Sequence, residues 1–326
     1  MATSFSPSNS VTTTTAANFI PEIWSDEIVA AYKKNLVLAN LVMKMNFKGK
    51  KGDTVHIPAP TRGSASAKAA ETAVTLIAAT ESEVQVSINK HYEYSRLIED
   101  IVEAQALNSM RQFYTSDAGY ALARQVDTDL VQLGRAFNGA TVGTDDYATS
   151  SSSTKAYIGS DGTTAYNSAT SNAAQLTDAA IRRTIQRLDD NDVPMDGRFF
   201  LIPPSSRNTL MGLARYTEQA FVGDAGGGNT IRNGEIGNLY GIPVFVTSNA
   251  DTGYGNTQTD RICLMGHRDA MVLVEQVGVR SQVQYKQEYL ATLFTSDTLY
   301  GVAALRSAAS TGAAKSSSMF ALVVPS

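Results

Sequence analysis

The sequence predicts an α+β protein made of an extended β-arm, one long amphipathic helix, and a region where helices alternate with buried strands. Three observations predict it. Val84, Val86 and Ile88 alternate with Gln85, Ser87 and Asn89, and the alternation resumes at Tyr92 and Tyr94. From Leu97 to Phe137 apolar residues recur mostly at steps of three and four. From Leu176 to Asn249 capping and turn residues punctuate short apolar runs. Side chains alternate across a strand and return to one helix face about every 3.6 residues, so the two periods separate the two structures.

Taken in order, Met1 to Ala17 is rich in Ser and Thr and reads as a mobile polar arm. An amphipathic helix follows, with Ser25 as N-cap and Ile28, Tyr32, Leu36 and Ala39 at helical spacing. Trp24, the one tryptophan, stands just before it and reads as an anchor. Lys51 to Pro58 is a strand ended by proline. Between it and the alternating strand lie some two dozen mostly small residues, too slight to build a core. A two-stranded arm of this kind is marginal alone, so its apolar face is expected to be buried against something else, such as another subunit.

The helical pattern from Leu97 to Phe137 begins with acidic Glu99, Asp100 and Glu103 and ends near Arg135, as the helix dipole prefers. Asn108-Ser109 is expected to divide it into a short helix and a long spine. Residues 138–172 are rich in Gly, Ser, Thr and Asn and read as a surface excursion with a short strand at Ala156–Ile158. Thr177 caps the next helix, Leu176 stapling onto Ile181, and Asn191 to Pro194 with Asp196-Gly197 ends it. Arg198 to Ile202 is a buried strand, with Ser205 or Ser206 capping a short helix after it. Further strands are expected at Pro243–Val246, Ile262–Met265, Ala270–Val274, Gln282–Tyr289 and Tyr300–Leu305, then a polar tail.

Composition excludes several classes. A formal net charge of -4 lacks the basic excess that wrapping nucleic acid requires. The single cysteine, Cys263, excludes an internal disulfide and fits folding in a reducing cytosol. No secretion signal opens the chain, and no apolar run reaches the length of a membrane span, so no membrane partner is expected. Charged residues are only 18% of the chain, which leaves a surface of Ser, Thr, Asn, Gln and Ala suited to close protein contact.

Catalytic patterns are not found. His56, His91 and His267 are scattered and lack the paired spacing of a metal site, so neither metal nor cofactor is expected. The glycine loop from Gly223 to Asn229 lacks the Gly-Lys-Ser/Thr ending of a phosphate cradle and reads as a flexible loop. No Gly-x-Ser-x-Gly elbow occurs. Asp145-Asp146 and Asp189-Asp190 read as solvated charge. Arg111, Arg124 and Arg135 on the spine face either nucleic acid or solvent and salt-bridge partners.

The order of elements, rather than any one motif, resembles the Hong Kong 97-type capsid fold of tailed-bacteriophage major capsid proteins. The stretches that carry the likeness run from Tyr94-Ser95-Arg96-Leu97-Ile98-Glu99-Asp100 through Asp127-Thr128-Asp129-Leu130. They continue with Val193-Pro194-x-x-Gly197-Arg198, Ile236-Gly237-x-x-Tyr240-Gly241-Ile242-Pro243-Val244, and Tyr300-Gly301-Val302. The resemblance implies an N-terminal arm over 1–47, a hairpin E-loop over 48–94, and a peripheral domain over 95–175 that holds the spine and the excursion. It implies an axial domain over 176–280, and return strands of the peripheral domain with a C-terminal tail over 281–326. Subunit contacts are then expected at Trp24 in the arm, at Arg62, Lys68, Val84, Val86 and Ile88 in the E-loop, and at Gly226, Gly227 and Gly228.

What the resemblance implies about function is a shell subunit and no enzyme. Pentamers and hexamers of the chain would form an icosahedral virion shell around double-stranded DNA, assembled in the host bacterial cytoplasm. Its partners would be a portal protein and, in some shells, a decoration protein. The arm before Phe19 is too short for a built-in scaffolding segment, which implies a separate scaffolding protein. Maturation from a procapsid would bend the spine near Asn108 and move the E-loop. Val86→Asp is expected on this reading to block shells and leave the monomer soluble. The alternatives are an encapsulin-like nanocompartment shell and a cytosolic hydrolase or transferase.

Overall fold

In the computed structural model the described residues are 37–49, 51–60, 65–74, 76, 81–105, 110–135, 156–166, 170–213, 237–249, 252–254, 260–305 and 318–326. The expected N-terminal helix from Ser25 and the break at Asn108-Ser109 lie outside them. A short helix α1 (Leu38–Leu41) leads into β1 (Met43–Asn46). The arm is β2 (Thr54–Pro60) paired antiparallel with β3 (Glu81–Ser87), in register from Thr54 opposite Ser87 to Pro60 opposite Glu81. β4 (Lys90–Glu99), α2 (Asp100–Gln105) and α3 (Met110–Arg135) follow. At about 1.5 Å per residue, α3 is a rod of roughly 39 Å.

The pattern that begins at Leu97 was expected to be helical, but Leu97 and Ile98 belong to β4. They pair across to Leu293 and Thr292 of β12 (Ala291–Ala304), and that ladder outweighs the local helical spacing. β12 also pairs with β11 (Met271–Lys286), and β1 lies parallel to the other side of β11, giving the sheet order β1-β11-β12-β4. β11 is one strand, not the two expected at Ala270–Val274 and Gln282–Tyr289. Irregularities between Glu275 and Arg280 let it stay paired through its polar middle, and Gln287–Tyr289 form a 3-10 turn.

A second sheet is built from β5 (Tyr157–Ile158), β6 (Arg198–Ile202), β7 (Asn238–Leu239), β8 (Ile242–Val246), β10 (Asp260–His267) and β13 (Met319–Val324). Its order is β5-β13-β10-β6-β8-β7, with β9 (Thr252–Tyr254) also paired to β10. Helices α4 (Asp178–Asp190) and α5 (Pro204–Met211) cover one face. α3 and the four-stranded sheet cover the other. Both faces are therefore dry, and the strands read as continuous apolar runs. Phe199, Leu201, Ile262, Leu264, Ala321 and Val323 face α3, while Phe200, Ile202, Cys263, Met265, Leu322 and Val324 face the two helices. A Cβ on Gly134 would stand 2.7 Å from Leu264, so the end of α3 sits directly on this sheet.

Three expectations need correction here. The polar tail after Leu305 contains β13, whose six residues are all at most 5% exposed. Residues 156–166 are not a surface excursion, because Tyr157 pairs into the sheet and the fully buried Tyr166 donates to Asp260 at 2.7 Å. Neither serine caps α5: Pro203 and Pro204 begin it, and Ser206 turns inward to Cys263 at 3.4 Å. The sequence-drawn boundaries at 175 and 280 accordingly cut across the sheets, since β5 and β13 share one and β11 runs unbroken past 280.

Local chemistry explains the quoted motifs. Thr177 caps α4 by accepting from the Ala180 N–H, with Leu176 and Ile181 in one core cluster. Tyr240 and Gly241, both with positive φ, form the two-residue turn that closes the β7–β8 hairpin. Arg198, 4% exposed, donates to the carbonyls of Val193 and Pro194 and pairs with Asp189 at 2.7 Å. It staples the turn that separates α4 from β6.

Candidate subunit interface

The surfaces available to another molecule are set by how far the chain covers its own arm. Val55, Ile57, Val84 and Val86 share one face of the hairpin, since Val55 pairs with Val86 and Ile57 with Val84. At the root this face meets the four-stranded sheet. Val86 and Ile88 are buried with Val272 and Val274, flanked by Met43, Met45 and Phe47. Gly301 makes the approach possible, because a Cβ there would lie 2.4 Å from the Ser87 carbonyl oxygen. Cover then runs out along the arm, and Val84 is half-buried. In the connection between β2 and β3, residues 65–74 and 76 are exposed and lie in no strand, with Val74 69% and Leu76 89% exposed.

The expected subunit-contact residues therefore divide. Val86 and Ile88 are corrected: their own chain fills the space that alternation alone assigned to a neighbour. Val84 is half-buried and Lys68 is exposed. Trp24, Arg62, Gly226, Gly227 and Gly228 lie outside the described residues.

A second uncovered surface was not anticipated. β1 covers β11 only from Val272 to Glu275, and from Val279 to Tyr285 every residue of β11 is exposed. Val279, Val283 and Tyr285 are between 46% and 56% exposed. Nearby, Tyr289 and Leu290 of the β11–β12 turn are also uncovered, and Leu290 accepts from the Asp100 N–H at the start of α2, where Ile101 is exposed. The signal in the sequence was the alternation of Val279, Ser281, Val283 and Tyr285, which resembles any half-buried strand.

Beneath the arm root, α3 carries two buried carboxylates that tie the parts together. Asp127 accepts from the Ala39 N–H at 3.2 Å and from Asn249 at 3.1 Å, linking α1 and the end of β8 to the spine. Asp129 accepts from Tyr300 at 2.6 Å and pairs with Lys90 at 3.2 Å, linking β12 and the arm root. Burial and then the Asp129 carboxylate push the Tyr300 phenol far above its usual range. Burial likewise raises Asp127 above the ordinary carboxylate value, against the hydrogen bonds from Asn249 and the α1 backbone.

A raised folded-state value means that the folded chain holds the proton more firmly than the unfolded one. This contribution to stability is present at low pH and is lost as pH rises from 3.8 through the raised value. The stability of wild type relative to Asp127→Asn is expected to increase as pH is lowered from neutrality toward 3.8. Urea midpoints across that range measure it, and a constant difference would remove the Asp127 charge from the account.

Chemistry elsewhere is sparse. Burial pushes the Cys263 thiol up to about 12, leaving it unreactive at neutral pH. Among the described residues, no three His, Cys, Asp or Glu side chains are placed to hold a metal ion. No helix among them is long and apolar enough to cross a membrane.

Comparisons with known proteins agree with this geometry. A family model described as phage capsid protein matches residues 24–311. A chain from Mycobacterium phage Che8 is similar at 22% identity and a TM-score of 0.70, covering 94% of this chain and 97% of its own. A chain from the capsid of cyanophage P-SCSP1u is similar at 19% identity and a TM-score of 0.73, covering 98% of each. One from the capsid of a native GTA particle has 12% identity and a TM-score of 0.63, covering 98% of this chain and 99% of its own. At these identities the likenesses establish a shared fold of the Hong Kong 97 type. Among curated protein sequences none matches.

Proposed function

The chain belongs to the phage capsid protein family, and from that premise we propose that this major capsid shell protein forms pentamers and hexamers of an icosahedral shell around the double-stranded DNA of a tailed bacteriophage. The observation that carries the proposal is the uncovered arm on a subunit whose family match spans residues 24–311. Val74 and Leu76 are exposed on an arm whose root is locked to the four-stranded sheet. A rooted arm with an apolar end has a use once a neighbour covers that end. Each such contact is weak, but a subunit in a closed shell makes many, and their effects multiply.

Within this proposal the hairpin is the E-loop, α3 with the four-stranded sheet forms the peripheral part, and the second sheet with α4 and α5 forms the axial part. The partners are other copies of the chain, a separate scaffolding protein, a portal protein, and in some shells a decoration protein. DNA contact is non-specific, in keeping with the net charge of -4. Assembly takes place in the host cytoplasm.

The test is electron microscopy of the chain expressed alone and with its genomic neighbour as scaffold. Closed shells or capsomer rings are expected. A uniform small oligomer under both conditions would overturn the proposal.

A further inference from the structure

We draw no further inference here: the strongest candidate, the exposed apolar patch at the far end of the four-stranded sheet, where Tyr289 and Leu290 of the β11–β12 turn meet the start of α2 beside Ile101, is an unpartnered face, and nothing in the structure shows what covers it.

Discussion

Removing residues 319–326 is expected to abolish folding, although they follow the polar stretch that reads as a C-terminal tail. Those residues include β13, which lies between β5 and β10 with both faces covered. Met319, Phe320, Leu322, Val323 and Val324 are all at most 5% exposed. At about 1.5–3 kcal/mol for each large apolar side chain, their burial is worth about 8–15 kcal/mol. That matches the whole stability of a typical domain, about 5–15 kcal/mol. The loss would also leave the β10 ladder from Arg261 to Gly266 without its partner. The truncated chain should go to the insoluble fraction on expression. A soluble truncated chain with a cooperative thermal transition near that of wild type would contradict this role for β13.

The second large effect separates the arm's root from its end. Val86→Asp would place a carboxylate among the apolar side chains of Ile88, Val272 and Val274. An unpaired buried charge costs several kcal/mol, about 3–5 by analogy with broken buried pairs. The expected result is loss of the folded subunit, in place of the soluble, assembly-deficient monomer that alternation alone suggests. Leu76→Asp is the counterpart. At 89% exposure it should change stability by no more than about 0.5 kcal/mol and yet remove shells, because the apolar end is what a neighbour covers. Thermal unfolding and electron microscopy of both variants decide the matter. If Val86→Asp unfolds at the wild-type temperature, the root is not buried as described. If Leu76→Asp forms shells at full yield, the arm end is not a contact.

These variants mark where local sequence stops carrying information. The α4 cap and the turn after α4 were legible because their causes are local. Thr177 caps α4 by accepting from a backbone N–H three residues away, and Gly197 supplies a positive φ that glycine adopts freely. The arm strands and the spine were legible because their periods differ. Gly301 stood in a quoted motif without a reason, and the reason lies far along the chain, in the carbonyl of Ser87.

The sequence by itself determined the arm strands, the spine and the order of arm, spine and mixed region, and hence a fold class that the family match and the structural neighbours share. Tertiary structure alone decided which faces stay uncovered. Val84, Val86 and Ile88 have the same pattern in sequence, yet the sheet from β1 to β12 covers two of them and leaves Val84 half-buried. Leu97 and Ile98 fit a helix until β12 pairs with them. The apolar run Met319 to Val324 is by contrast a strand signal that the polar residues before it obscured, and β10 and β5 pair with it. Period reports how a segment divides its own side chains between two faces. What lies against each face depends on partners in some cases more than two hundred residues away, and burial free energy follows from those partners.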